Sequence, residues 1–321
     1  MADTKRWTPP YLGEEYEKGG YEAVIYEKDA PLGRVILNGP EKRNPLNQQR
    51  KTEIAKALRE AELDEEVKVV IIKGAGPSFC AGYDITPTQP GEPPRGSPPH
   101  GYVHPDRDAL MNAGYHTMAR ELYFPIWDMQ KPVIAQVHGY CLAGGTHLAS
   151  FCDLRIVAED AQIGYPVSRN WTSGGYQYMP WMCGVTKAKF YMFTGKPMDG
   201  KEAFRCNWAS AVFPAAKLEE ETENIALDIA KVDTDLIMLT KRNINRQMEI
   251  MGMKTGLMYS IDTNALAGFR VSQKEGEGDE FRKIAREKGL KAALDWRDQS
   301  FHISYRTSEG AEKAREARTR S

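Results

Sequence analysis

Three short apolar runs, separated by segments with helical spacing, constrain the fold of this chain more than any other feature. They occupy residues 67–72, 133–137 and 154–157, and each is shorter than an ordinary helix. Strands that are apolar throughout are covered on both faces, as in sheets whose strands alternate with helices. We therefore predict an α/β fold with buried strands.

The segments around these runs complete the predicted order of elements. Residues 21–38 alternate as in a hairpin, with a turn at 31–33, and residues 47–63 and 108–129 have helical spacing. After residue 214, amphipathic patterns at 218–232, 234–251 and 281–296 predict a helical C-terminal region.

The charge balance argues against polyanionic partners. Forty-three basic and 44 acidic residues give a formal charge of −1, so the chain has no overall field to attract nucleic acid or an anionic membrane. No run approaches the roughly 18 apolar residues of a membrane span, and residues 1–13 do not resemble a secretory signal. We expect a cytoplasmic protein.

Cysteine and histidine usage predicts neither a disulfide scaffold nor a metal site. The five cysteines show no CxxC pairing, and we expect them to be reduced thiols. The close pair His100 and His104 lies among prolines, where no helix can align two ligands.

Two glycine-rich loops follow buried strands. Residues 74–85 read GAGPSFCAGYDI, and residues 138–148 read HGYCLAGGTHL and run into a helix. Loops on neighbouring strands can aim two backbone amides at one oxygen, as in an oxyanion hole. Either loop taken singly is equally well explained as a tight turn or as close helix packing.

Longer motifs give these loops a context. LNGPEKRNPL at 37–46, FCAGYDI at 79–85 and the segment 131–166 occur in the order found in the enoyl-CoA hydratase/isomerase (crotonase) family, which the chain resembles over about residues 23–214. The resemblance implies a spiral core of ββα turns over residues 1–214, with a Pro-rich insertion at 86–107. It also implies a helical region over 215–321 that supports a homotrimer or a dimer of trimers.

The resemblance assigns candidate site residues. The oxyanion amides would be those of Tyr83 and Gly144. Coenzyme A would enter as part of an acyl-CoA thioester substrate, with no permanently bound cofactor. The positions that match the family's CoA-binding segments are Lys42, Arg43, Asn44, Leu46, Ala81, Asp84 and Ile85.

The sequence departs from the family at its acid and base. Family hydratases carry two glutamates where this chain has His147 and Val167. Valine cannot transfer a proton, which puts ordinary hydration in doubt. His147 is either a single general acid or base or a packed histidine, and Tyr83 either donates a hydrogen bond or shapes the pocket.

The resulting functional hypothesis is an acyl-CoA enzyme of the hydratase/isomerase type, a lyase or isomerase that stabilises an enolate or another oxyanion. Two alternatives remain: a C–C or thioester hydrolase of the same family, and a non-catalytic acyl-CoA-binding or scaffold protein. The insertion at 86–107 is either a lid suited to a bulky or cyclic acyl group or a surface excursion.

Overall fold

A six-stranded sheet forms the centre of the protein. The computed structural model describes residues 19–85, 116, 118–169, 173–273 and 277–301. Within these residues the strand order is β1-β2-β3-β4-β6-β8, and β5 and β7 form a separate two-stranded sheet. The strands are β1 Val24–Asp29, β2 Leu32–Leu37, β3 Val69–Gly74, β4 Val133–Val137, β5 Tyr140–Leu142, β6 Leu154–Ala158, β7 Gln162–Gly164 and β8 Ala211–Phe213.

Helices accompany these strands and dominate the C-terminal region. They are α1 Gln48–Leu63, α2 Phe124–Asp128, α3 Gly144–Phe151, α4 Met179–Thr194, α5 Gly200–Arg205, α6 Leu218–Lys231, α7 Thr234–Ile250, α8 Met253–Gln273, α9 Glu277–Lys288 and α10 Leu290–Asp298. One turn of π-helix, Ala119–Tyr123, leads into α2. The predicted α/β fold is confirmed.

The sheet register sets the two glycine loops side by side. β1 and β2 form the expected antiparallel hairpin, and every later pairing in the large sheet is parallel. In the β3–β4 pair, Val70 lies opposite Val133 and Ile72 lies opposite Ala135. Parallel strands end at the same edge, so the loops after β3 and β4 start next to each other.

The main hydrophobic core extends from the sheet into the helical region. It joins strand residues such as Val70 and Ile134 with Leu218 and Ala226 of α6 and Leu257 of α8. A division of the chain at residue 214 therefore stays a prediction.

The predicted helical segment at 281–296 is divided between two helices. Helix α9 ends at Lys288 and α10 begins at Leu290. Gly289 between them has φ 85°, in the left-handed region that a continuous helix cannot adopt. Phe281 and Ile284 still share a small core with Ala293 across the break.

Some of the predicted segments lie partly or wholly outside the described residues. Of the predicted helix at 108–129, the described part contains the π-turn and α2, while the insertion at 86–107 and the pair His100 and His104 lie outside the described residues. None of the helices, as far as they are described, combines the length and apolar character needed to cross a membrane.

Candidate active site

The two glycine loops touch at Gly82 and Gly144. A Cβ placed on Gly82 would lie 3.1 Å from the Ala143 side chain and 3.6 Å from the amide nitrogen of Gly144. A Cβ placed on Gly144 would lie 2.9–3.0 Å from the ring of Tyr83. The backbones approach this closely because neither glycine carries a side chain.

Hydrogen bonds fix the direction of the first loop. Cys80 pairs with β5: its amide donates to the carbonyl of Tyr140 at 2.8 Å and its carbonyl accepts from Leu142 at 3.0 Å. On the opposite edge, Leu46 donates to Gly82 at 2.7 Å and accepts from Asp84 at 3.1 Å. Since successive backbone amides alternate in an extended segment, we infer that the N–H of Tyr83 faces away from Leu46, on the side of the second loop.

The second loop delivers the start of α3 to the same place. Ala143, which caps the helix, has φ 45° and ψ −111°, and its carbonyl accepts from the His147 amide at 3.1 Å. The first amides of a helix have no acceptor within it, so the N–H of Gly144 is directed out of the helix end. A Cβ on Gly145 would lie 2.5 Å from the carbonyl oxygen of Cys80, which shows how tightly α3 packs on the first loop.

His147 lies on α3, one turn after Gly144, and is only 1% exposed. Within the described residues, five tyrosine rings surround its imidazole, with ring centroids 5.0–6.1 Å away. We call this group the tyrosine cage, which consists of Tyr83, Tyr123, Tyr165, Tyr176 and Tyr178.

A chain of hydrogen bonds connects the cage to His147. The hydroxyl of Tyr83 lies 3.0 Å from Nδ1 of His147 and 2.9 Å from the hydroxyl of Tyr123. The backbone of Gly175 forms a hydrogen bond that favours the protonated imidazole, as a carbonyl acceptor does. We therefore infer that Nε2 carries the ring proton, and that Nδ1 accepts from Tyr83.

Burial sets the charge of this histidine. Desolvation lowers the pKa of His147 to about 3, and the hydrogen bond with Gly175 opposes only part of that shift. The imidazole is therefore neutral near pH 7, and its Nδ1 lone pair is available to a donor.

The segment that matches the family's second glutamate is a short 3-10 turn, Pro166–Arg169. Val167 is partly buried in this turn. Arg169 donates to Asp298 of α10 at 2.8 Å, and Arg297 also donates to Asp298, at 2.8 and 2.9 Å. The end of α10 is thereby tied to the turn that carries Val167.

The proposed CoA-binding residues fall into two groups. Lys42, Arg43 and Ile85 are exposed, and the Arg43 guanidinium lies 4.8 Å from the ring centroid of Tyr140. Ala81 is half-buried, whereas Leu46, Asp84 and Asn44 are buried. Asn44 donates to the carbonyls of Ala75 and Ser78 at 2.9 and 2.8 Å and accepts from Gly39 at 2.8 Å, so its side chain ties the loop after β2 to the first glycine loop.

The sequence patterns did not reveal the tyrosine cage. Tyr165 lies in the segment 131–166, but nothing in that motif marks it as a site residue, and Tyr123, Tyr176 and Tyr178 lie outside the motifs. These tyrosines meet only in the folded chain. The π-turn places Tyr123, consistent with the frequent occurrence of such turns at functional sites. In the described part of the chain, no cluster of three or more His, Cys, Asp or Glu side chains could hold a metal ion.

Known proteins resemble this chain over most of its length. The model of the enoyl-CoA hydratase/isomerase family matches residues 27–277. A putative enoyl-CoA hydratase, EchA13 of Mycobacterium tuberculosis, is 32% identical over 250 residues, which cover 74% of this chain and 78% of the relative. A crotonyl-CoA hydratase of Syntrophomonas wolfei is 31% identical over 264 residues, covering 80% and 94%.

Solved structures of similarly named proteins also resemble this chain. The crystal structure of an enoyl-CoA hydratase/isomerase from Xanthobacter autotrophicus Py2 superposes with a TM-score of 0.71 at 30% identity, covering 88% of this chain and 99% of the other. An enoyl-CoA hydratase from Mycobacterium smegmatis gives a TM-score of 0.73 at 28% identity, covering 87% and 94%. The chain belongs to the enoyl-CoA hydratase/isomerase family, within the crotonase superfamily.

Proposed function

We propose that this protein transforms an acyl-CoA thioester by holding the thioester oxygen between the backbone amides of Tyr83 and Gly144. The observation that carries the proposal is the contact between the two glycine loops, with the Gly144 backbone against the Tyr83 ring. Two preorganised donors stabilise the charge that develops on the oxygen of an enolate or a tetrahedral intermediate. Several relatives are named for the hydration of enoyl-CoA esters, which supports a CoA thioester as the substrate class.

The proton-transfer group in this proposal is the pair Tyr83 and His147. Tyr83 would take a proton from the substrate while its own hydroxyl proton passes to the neutral Nδ1 of His147, and it would return a proton to the substrate when that proton comes back. Tyr123 would stabilise the phenolate form by donating to the same oxygen. This arrangement replaces the glutamate that family hydratases carry at the position of His147.

A single acid or base favours enolate chemistry over simple hydration. Addition of water needs one group for the water and another for the α-carbon, and Val167 supplies neither. Movement of a double bond needs only that one group removes and returns a proton next to a stabilised enolate. We therefore place isomerisation ahead of hydration, with hydrolysis of a C–C or thioester bond as the alternative.

The nucleotide end of coenzyme A would lie along Lys42 and Arg43. Both are exposed cations directly before the segment that bridges to Tyr83, and guanidinium and ammonium groups suit phosphates. Leu46, Ala81, Asp84 and Ile85 would border the adenine and pantetheine, and Asn44 would maintain the loop.

Deuterium exchange tests the enolate directly. The protein is incubated with a saturated acyl-CoA and with 2-enoyl, 3-enoyl and β-keto esters in D2O, and label at the α-carbon and new products are followed by mass spectrometry. We expect α-exchange and double-bond migration, both lost in Tyr83→Phe and retained in the matched variant Tyr259→Phe, whose residue is 72% exposed on α8. Tight binding of the esters without exchange or turnover would replace this proposal by the acyl-CoA-binding scaffold.

We further propose that the protein assembles as a homotrimer or a dimer of trimers. Helices α7 and α8 expose several large apolar side chains, and exposed apolar surface is typical of an interface. They are Leu236, Leu239, Ile244, Ile250 and Leu266, each at least 59% exposed. Sedimentation velocity at micromolar concentration should give the mass of a trimer or hexamer, and a monomer would contradict the assembly.

A further inference from the structure

Two cysteines that take no part in the proposed proton transfer lie in contact. The Sγ atoms of Cys183 and Cys206 are 3.6 Å apart, about the sum of two sulfur radii. Cys183 lies on α4, and Cys206 caps the C-terminus of α5, so the contact joins two different helices.

The surroundings of the pair favour reaction between the two thiols. The other contacts of the sulfur atoms are weak: Cys206 approaches the Met198 sulfur at 3.9 Å and the Ala203 carbonyl at 3.5 Å, and Cys183 approaches the Met179 sulfur at 4.0 Å. Among the described residues, no strong acceptor is recorded that competes for the thiol of Cys183.

A small oxidant has a route to the pair. Cys183 is partly exposed and precedes Gly184, which has φ 73° and interrupts the helix. Apart from its two chain neighbours, a Cβ on the exposed Gly184 would meet nothing within 4 Å, so the kink itself is open to solvent.

The two thiols also differ in pKa. The hydrogen bond between Cys206 and Cys183 lowers the pKa of Cys206 to about 7; burial opposes the shift, while the Trp208 amide and the Lys187 cation support it. The same bond raises the pKa of Cys183, as does burial. Glu202 and Arg155 also act on the pair, and Cys183 in turn helps to raise the pKa of Tyr178.

We propose that Cys183 and Cys206 form a reversible disulfide when the protein meets hydrogen peroxide. The Cys206 thiolate attacks one peroxide oxygen, the O–O bond breaks, and the departing hydroxide takes a proton to become water, which leaves a sulfenic acid. The thiol of Cys183 then attacks that sulfur, the S–O bond breaks, and the hydroxyl leaves as water with the thiol's proton. Peroxide is reduced and the two sulfurs are oxidised.

The remaining cysteines provide an internal control. Cys80 and Cys152 are buried, and desolvation raises the pKa of each to about 12, while burial raises the pKa of Cys141 further from its usual range. Thiols of this kind are poor nucleophiles at neutral pH.

The test uses the reduced, full-length protein treated with hydrogen peroxide, alkylated under denaturing conditions and digested with trypsin. Cleavage after Arg169, Lys187, Arg205 and Lys217 puts the two cysteines in separate peptides, 170–187 and 206–217. We expect one cross-linked species of these peptides, lighter by two hydrogen atoms than their sum and abolished by dithiothreitol. Cys152→Ser should still form it, and Cys183→Ser should instead leave a sulfenic acid on Cys206 that dimedone traps.

Full alkylation of Cys183 and Cys206 after peroxide treatment would overturn the proposal. A dominant cross-link between Cys80 and Cys141 would do the same. Neither readout depends on acyl-CoA turnover, so the result stands whatever the outcome for the proposed enzymatic function.

Discussion

The hydroxyl of Tyr83 lies 3.0 Å from Nδ1 of His147, although the two residues are 64 positions apart in the sequence. One belongs to the loop after β3 and the other to the helix after β4, and the parallel register of those strands brings them together. A phenol and a neutral imidazole therefore occupy the place where the family's hydratases have a carboxylate. Proton transfer in this protein is expected to depend on that pair.

Replacement of Tyr83 by phenylalanine removes the hydroxyl and keeps the backbone amide, so the contributions of the two groups can be distinguished. The amide stays, so binding of the thioester and KM should change little. Loss of an acid or base costs about 100-fold or more, and kcat for double-bond migration should fall by that factor. Steady-state kinetics measure both constants, and an unchanged kcat would assign Tyr83 to pocket shape alone.

Burial of His147 predicts a pH-dependent stability. Its pKa is about 3 in the folded protein against about 6.5 in an unfolded chain, so the unfolded state binds the extra proton between these values. Stability should fall as pH decreases below 6.5, by up to roughly 1.4 kcal/mol per pH unit.

Denaturant unfolding of the wild type and of His147→Gln between pH 5 and pH 8 checks this. The other histidines are common to both proteins, so any difference in the slope of the unfolding free energy against pH is due to residue 147. Equal slopes would mean that the buried ring is already protonated or that it is hydrated.

Two adjacent glycines should respond differently to alanine. At Gly144 the new methyl group would press on the Tyr83 ring, a side chain that can shift, whereas at Gly145 it would lie 2.5 Å from the Cys80 carbonyl oxygen. We expect Gly144→Ala to lower kcat with a nearly native melting temperature, and Gly145→Ala to lower the melting temperature itself. Thermal unfolding and kinetics on the two variants distinguish them, and the reverse order would contradict the described packing.

Lys42 and Arg43 should matter only for substrates that carry the nucleotide. In the double variant Lys42→Gln and Arg43→Gln, KM for an acyl-CoA should rise about tenfold, equivalent to about 1.4 kcal/mol, with kcat unchanged. KM for the corresponding acyl-pantetheine should not move. The control Lys231→Gln removes a cation that is 75% exposed on α6. An equal rise of KM in this variant would mean that overall charge, and not a local phosphate contact, causes the effect.

Asp298 should contribute to stability through two buried arginines. Its carboxylate accepts from Arg169 and Arg297, whose side chains are 1% and 5% exposed. Removal of one partner from a buried ion pair costs about 3–5 kcal/mol, and Asp298→Asn should lose an amount of that order in urea unfolding. Asp228→Asn, at a surface pair with Lys231, should lose no more than about 1 kcal/mol.

The strands were predictable from sequence because complete burial leaves a continuous apolar run. The run at 133–137 coincides with β4, whereas β3 is displaced by two residues to Val69–Gly74. Lys73 belongs to the strand although it is charged, since it pairs with Ile36 in the register and its ammonium reaches Glu219 outside the sheet at 2.5 Å. Apolar patterning cannot detect such a position.

The site was predictable only in part, for a similar reason. Each glycine loop is one continuous stretch of sequence, so its motif points to the neighbourhood of Tyr83, Gly144 and His147. The tyrosine cage is assembled from the loop after β3, the π-turn, the loop after β7 and the segment before α4, and no local pattern relates these residues. The break at Gly289 was hidden because apolar positions continue on both sides of it.

A crystal structure with a bound, slowly reacting acyl-CoA ester tests the central claim most directly. The thioester oxygen should lie about 2.7–3.1 Å from the amide nitrogens of both Tyr83 and Gly144, with the α-carbon within reach of the Tyr83 hydroxyl. An ester whose oxygen contacts neither amide, or a cleft elsewhere on the protein, would contradict it.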